Sequence, residues 1–275
     1  VDYSYIKGIT QTSFLPTAQP LIINGNMQVA QRGTSVTAGA TGYHTCDRWK
    51  WAKSYDAVVD FAQETLTSGD AYADGFQKAY KYDVTTADAS MAASHYSTIR
   101  YTWEGQDVQS IKKGTANAQP VTLSFWVKST KTGTFINTLY DGDNNRNCSQ
   151  AYTISSTNTW EKKVVNFPAD TTGVMNSDNA ASLYLNFYTS AGSNYTSGTL
   201  ATTWESYVAA NEAVGQVNGM DSTSNTFHLT GVQLEVGEYT SADLPPFRHE
   251  SYGDNLIRCQ RYYYMLDPLL HGNNP

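Results

Sequence analysis

The chain alternates. In VTLSFWVKS (121–129), Val121, Leu123, Phe125 and Val127 fall on one side of an extended segment, and Thr122, Ser124, Trp126 and Lys128 on the other. A period of two sends successive side chains to opposite faces, so the pattern predicts a strand with one face in a core. SLYLNFYTS (182–190) sets Leu183, Leu185 and Phe187 against Tyr184, Asn186 and Tyr188. NTFHLTGVQLEVG (225–237) sets Val232, Leu234 and Val236 against Gln233 and Glu235. Further strands are expected at 21–29, 48–53, 57–65, 76–85, 96–103, 133–140, 151–154 and 160–167. Lys131-Thr132-Gly133 and Asp141-Gly142 supply turn chemistry between them.

Helical periodicity is scarce. EGQDVQSIKKGTA (104–116) has Val108 and Ile111 three apart and Gly114 as a stop, so a short helix is expected there, and another turn of helix within TWESYVAANEAVG (203–215). DNLIRCQRYYYM (254–265) fits a helix or a strand. About ten short strands separated by turns indicate an all-β fold: an antiparallel jelly-roll β-sandwich with short helices. Residues 1–20 lack alternation and carry Pro16 and Pro20, so they read as an extended N-terminal arm. The expected division is an arm at 1–20, the sandwich at 21–242 and a C-terminal segment at 243–275.

Composition narrows the function classes. Of 275 residues, 40% are hydrophobic and only 16% charged, which excludes a highly charged disordered chain. A net charge of −7 with no run of Lys or Arg argues against nucleic acid, whose binding depends on neutralising phosphates. No apolar run is long enough for a membrane span. Cys46, Cys148 and Cys259 are odd in number and far apart, so neither a disulfide framework nor a zinc site is expected. The 20 Tyr and 6 Trp suit surfaces that are half apolar and half wet.

Candidate chemistry is thin. DGDNNRN (141–147) begins like a calcium loop, but Arg146 replaces the required glycine and Tyr152 the required glutamate, so a polar hairpin is expected and no metal. Glu104 with Asp107, or Glu205 with Glu212, offer carboxylate pairs, yet spacing in a sandwich does not say which carboxylates face each other. There is no nucleophile elbow, no phosphate loop and no dinucleotide fingerprint, so no catalytic residue or cofactor is assigned. His228 is expected on the outward face of its strand, in a surface or interface role. Aromatic platforms remain: Tyr195, Trp204 and Tyr207 could stack on the apolar face of a sugar while nearby polar groups take its hydroxyls. The competing reading has these rings filling gaps between chains or capping the sandwich.

Several blocks, in order, resemble bacteriophage tail-fibre and related virion structural proteins: LIINGNMQVAQRGTS (21–35), GYHTCDRWKW (42–51), GTANAQPVTLSFWVKSTKTGTF (114–135), YTISSTNTWEKKVVNFPADTTG (152–173), NAASLYLNFYTSAGSNYTSGTL (179–200) and FRHESYGDNLIRCQRYYY (247–264). The resemblance implies a jelly roll similar to carbohydrate-binding modules, carried on a virion appendage, usually as a homotrimer, for host-surface attachment or structure and without catalysis. The arm 1–20 would join other virion proteins. Alternatives are a carbohydrate-recognition module for host surface glycans, or a capsid-decoration or head-fibre protein. A structural calcium is not carried over, because Asn24-Gly25 is followed by Asn26-Met27 and not by an acidic residue. Within this frame Arg248, Arg258, Arg261, Tyr262, Tyr263 and Tyr264 are expected to leave the sandwich and pack against sister copies, since Arg and Tyr suit a partly wet interface. The competing reading folds the segment back and buries Tyr262 or Tyr264 within one chain.

Overall fold

Alternation is realised as two packed antiparallel sheets in the computed structural model, which describes residues 19–265. Sheet A runs in the order β1 (Ser35–Val36), β4 (Val58–Thr65), β5 (Lys78–Thr86), β13 (Thr226–Val236), β7 (Val121–Ser129), β10 (Glu161–Phe167). Sheet B runs β12 (Glu205–Ser206), β9 (Arg146–Ile154), β8 (Gly133–Asp141), β11 (Ala181–Ala191), β6 (Tyr96–Glu104), β3 (Lys50–Ser54), β2 (Gly42–Tyr43). The last long strand, β13, inserts between β5 and β7, and β11 inserts between β8 and β6, so the chain crosses between layers as a jelly roll does.

The inward positions form one aromatic-rich core. Leu123, Phe125 and Val127 of β7 face Leu185 and Phe187 of β11 and Ile99, Tyr101 and Trp103 of β6, all essentially without exposure. Phe125 meets Phe187 edge-on at 4.9 Å, and Tyr82 stacks on Phe227 at 5.7 Å. Each such ring stabilises the fold by about 1.5–3 kcal/mol through removal from water. Tyr80, Tyr82, Tyr101 and Tyr152 are among these buried rings, so part of the high tyrosine content serves the core and not a wet surface.

β13 changes face midway. Phe227 and Leu229 point inward before a bulge between Thr230 and Gln233, and Val232 and Leu234 point inward after it. The bulge depends on Gly231, at φ +60°, where a Cβ would meet the Phe76 ring at 2.7 Å. The same strand buries His228, contrary to the expected surface role. Its Nδ1 lies 2.7 Å from Glu64 Oε2, and Trp160 packs edge-on against the ring.

Three segments depart from the sequence reading. Residues 21–29 form no strand: Asn24 and Met27 both have φ near +59°, which breaks an extended run into tight turns. The Asn24 side chain holds that turn by accepting from Val29 N–H and donating to the carbonyls of Val29 and Asp47. The expected helix after Glu104 is a 3₁₀ turn, Gly105–Ile111, and the one expected within 203–215 is reduced to β12 and a 3₁₀ turn, Ala209–Asn211. Two further helices are short, α1 (Asp70–Ala73) and α2 (Ser193–Thr196).

The ambiguous C-terminal stretch is a helix, α3 (Tyr252–Gln260), whose Ser251 accepts from Asp254 N–H as a cap. Asn255 and Cys259, one turn apart, are its buried side, and Asn255 Oδ1 accepts from Asn24 N–H at 3.0 Å. Arg258 reaches Glu250 and the Pro20 carbonyl, each at 2.6 Å. Arg261 pairs with Glu104 at 2.6 Å. The Arg48 guanidinium lies 3.3 Å from the Tyr262 ring centroid, and that of Arg32 lies 3.4 Å from the Tyr263 centroid. Arg248 faces Glu235 at 3.6 Å, and Tyr264 is exposed. The described contacts of this segment therefore run to its own sandwich. Of the arm 1–20, only Gln19 and Pro20 fall within the described residues. No helix among the described residues is long and apolar enough to cross a membrane. The three cysteines are buried free thiols, and burial pushes each up to about 12.

Candidate functional site: a tyrosine groove on the outer face of sheet B

Outward positions of three adjacent strands build a polar floor. β11 pairs Asn186 with Arg100 of β6 on one side and with Thr138 of β8 on the other. The neighbouring outward positions are aromatic: Tyr184 and Tyr188 on β11, Tyr140 on β8 and Tyr96 on β6. Between β11 and β13 the chain makes an excursion over this face. Ala213 and Leu200 of the excursion pack with Ile136 and Tyr188, and the excursion delivers Tyr195, Tyr207 and Glu212 to the floor. Tyr96, Arg100, Tyr140, Asn186, Tyr188, Tyr195, Tyr207 and Glu212 together line an open groove of about 250 Å3.

The rings stand as two walls. Tyr96 and Tyr195 meet edge-on at 5.3 Å; Tyr140 and Tyr207 do so at 5.5 Å, with Tyr184 behind Tyr140 at 5.8 Å. Arg100 Nε donates to Asn186 Oδ1 at 2.7 Å, and its guanidinium lies 5.5 Å from the Tyr184 ring centre. Glu212 is buried and accepts from the Tyr207 hydroxyl at 2.9 Å and from Tyr188. Burial pushes its carboxyl above the usual range, more strongly than those hydroxyls and the Arg100 charge pull it down. Burial likewise raises the Tyr207 phenol, with the Glu212 charge adding to it. The groove thus offers aromatic faces, a cation, an amide and a carboxyl within one small volume.

The candidate rings divide. Tyr195 and Tyr207 are brought together in the groove; Trp204, between them in sequence, is not. Its indole is partly buried against the core and donates to the Pro168 carbonyl at 2.8 Å. There it lies 4.8 Å from Lys113 Nζ. That ammonium is itself buried, bonded to Asp141, to Asp170 at 3.0 Å and to the carbonyls of Thr172 and Gly173 at 3.0 and 3.1 Å. Asp141, at the head of the calcium-like stretch, also caps the hairpin through the N–H groups of Asp143 and Asn144. Arg146 completes the cluster on Asp170 at 2.9 Å. Among the described residues no group of three or more His, Cys, Asp or Glu could hold a metal. The carboxylate pairs are also placed: Glu104 serves Arg261, Asp107 takes the Tyr262 hydroxyl, and Glu205 takes the Asn211 amide, which leaves Glu212 as the one of the four in the groove.

Arg100, Tyr96 and Tyr140 were not among the candidates. The outward phase of Tyr96 and Arg100 is readable in YSTIRYTWE, where Ile99, Tyr101 and Trp103 occupy the inward places, and that of Tyr140 in GTFINTLYD beside inward Phe135 and Leu139, but the adjacency of β6, β11 and β8 is not.

No protein-family model matches the chain, and no curated protein matches it in sequence. Among solved structures, the enzymatically active domain of bacteriophage CBA120 tailspike protein 4 is 13% identical with a TM-score of 0.41 over 79% of this chain, which spans only 21% of that one. A family 11 carbohydrate-binding module from Clostridium thermocellum, in complex with a mixed-linked tetrasaccharide, is 11% identical with a TM-score of 0.35 over 75% of this chain and 97% of its own. A cyclase from Fischerella sp. TAU is 10% identical with a TM-score of 0.41 over 81% and 100%.

Proposed function

We propose that this chain is a non-catalytic carbohydrate-recognition module that holds one or two sugar units in the groove on sheet B. What carries the reading is the wall of tyrosine rings over the Arg100–Asn186 floor. A pyranose has an apolar face that stacks on such rings and a rim of hydroxyls that need directional donors and acceptors. Two sugar rings also match the scale of the cavity. Tyr140 and Tyr195, from opposite walls, are the stacking residues; Asn186 and Glu212 take hydroxyls. The test is a glycan array with the intact chain, followed by titration calorimetry on the best sugar. Tyr195→Ala and Tyr140→Ala should each weaken binding at least about tenfold, as loss of a stacking ring does. An unchanged affinity in both variants would remove the groove from consideration, and release of reducing ends from the bound glycan would contradict the absence of catalysis.

The ordered sequence blocks between residues 21 and 264 favour a setting for that activity: a subunit of a phage fibre or capsid appendage, assembled as a homotrimer. The arm 1–20 would attach it to other virion proteins, and the outer side of α3, with Tyr252 and Ile257 exposed, together with Tyr264 just beyond it, would face sister copies. Sedimentation of the intact chain tests this directly: a monomer at micromolar concentration contradicts the trimer.

A further inference from the structure

The groove has a feature that a site for neutral sugars does not require. Arg100 sits on its floor, half-buried, with Nε fixed by Asn186 Oδ1 and the guanidinium beside the Tyr184 ring. Both contacts hold the planar group in place while using only one of its nitrogens. Among the described residues, the two terminal nitrogens donate to no protein acceptor. A guanidinium oriented in this way presents a fork of parallel N–H groups, the geometry that matches the two coplanar oxygens of a carboxylate.

The nearby acid makes no direct ion pair with it: Glu212 is buried and accepts from the Tyr207 hydroxyl at 2.9 Å, and the Arg100 charge acts on it only through space.

We infer that the groove selects a sugar bearing a carboxylate, such as a uronic acid, and that Arg100 is the residue that selects it. This deepens the sugar-binding reading proposed above and rests on it. The ring of the acidic sugar stacks between the tyrosine walls, and its carboxylate lies on the Arg100 fork, where a chain with net charge −7 would otherwise repel it. The recognition is short-ranged and geometric, not a matter of overall charge.

The experiment uses oligosaccharides that differ at one carbon: a galactose-terminated chain, the same chain ending in galacturonic acid, and a sulfated galactose version, each titrated into the intact protein. The uronate should bind about 10- to 100-fold tighter than the neutral sugar, the gain expected of a charge-assisted fork. The sulfate, whose oxygens are tetrahedral, should gain less. Arg100→Gln, which removes the cation, should abolish the preference, read as the ratio of uronate to neutral-sugar affinity falling to about one. Arg100→Lys, which keeps the charge and loses the fork, should retain only a small part of it. Equal affinity for neutral and acidic sugars overturns the inference and leaves the sugar groove standing. A sulfate bound more tightly than the uronate overturns the carboxylate assignment. If neither sugar binds to a protein that melts cooperatively, the groove reading itself fails and takes this one with it.

Discussion

Replacing Lys113 with methionine keeps the side-chain stem and deletes a charge from the least accessible ionic cluster in the fold. The Lys113 side chain is 2% exposed, Asp141 0% and Asp170 5%. Asp170 would retain Arg146 at 2.9 Å, but Asp141 would keep only the N–H groups of Asp143 and Asn144 and the Asn144 amide, with no cation. Removing one partner from a buried pair costs about 3–5 kcal/mol, because the carboxylate left behind is desolvated and uncompensated. For a chain of this size, each kcal/mol moves the melting temperature by about 2–4 °C, so a drop of about 6–20 °C is expected by calorimetry. The origin of the loss is tested by the double variant Lys113→Met/Asp141→Asn. If the stranded charge is responsible, the second substitution recovers more than about 1 kcal/mol. A loss under about 1 kcal/mol for the single variant, or strict additivity in the double, would refute the reasoning: the ammonium would then be no more than a surface charge that happens to be covered.

Gly231→Ala should destabilise by about 2 kcal/mol or more, since φ +60° and a Cβ 2.7 Å from Phe76 act together; a neutral result by urea unfolding would mean that the β13 bulge relaxes freely. Trp204→Ala should cost about 3 kcal/mol of stability and leave sugar affinity unchanged, and a selective loss of binding would return Trp204 to the site. His228 has a lowered folded-state pKa, first from burial, against the raising effect of Glu64; Lys128 and Lys81 also disfavour its charge. A depressed folded value means the contribution to stability is present above the unfolded value, about 6.5, and is lost as pH falls below it. His228→Gln should flatten the acid side of the stability profile, and an unaltered profile between about pH 5 and 7 would rule this out.

The period-two pattern placed β7, β8, β10 and β11 within a residue or two of their ends, because each alternates apolar side chains toward one core over at least part of its length. It failed at 21–29, where Ile22, Ile23, Met27 and Val29 are buried but the backbone turns on left-handed Asn24 and Met27. Burial there follows from where α3 and Trp49 come to lie against the turn, through Asn255 and the Asn24 carbonyl, contacts separated by up to 231 residues. The C-terminal tyrosines and arginines were legible as a cluster with matched chemistry. Their partners Arg32, Arg48, Glu104 and Asp107 are scattered along the chain and gave no local sign of being partners.

By itself, the amino-acid order determined that most of the long segments extend and, in β7 and β11, which side faces oil, and that the remaining faces would be rich in tyrosine and neutral polar groups. It also singled out Tyr195, Trp204 and Tyr207 as candidate rings. Strand order was decided only when the sheets assembled, because pairing between β6, β11 and β8 joins residues about 40 to 90 positions apart through backbone bonds that any side chains permit. That pairing put Arg100 beside Asn186 and beneath Tyr195 and Tyr207, and it sent Trp204 to the core instead. A groove is a property of neighbours in space, and a one-dimensional pattern fixes a residue's face without fixing its neighbours.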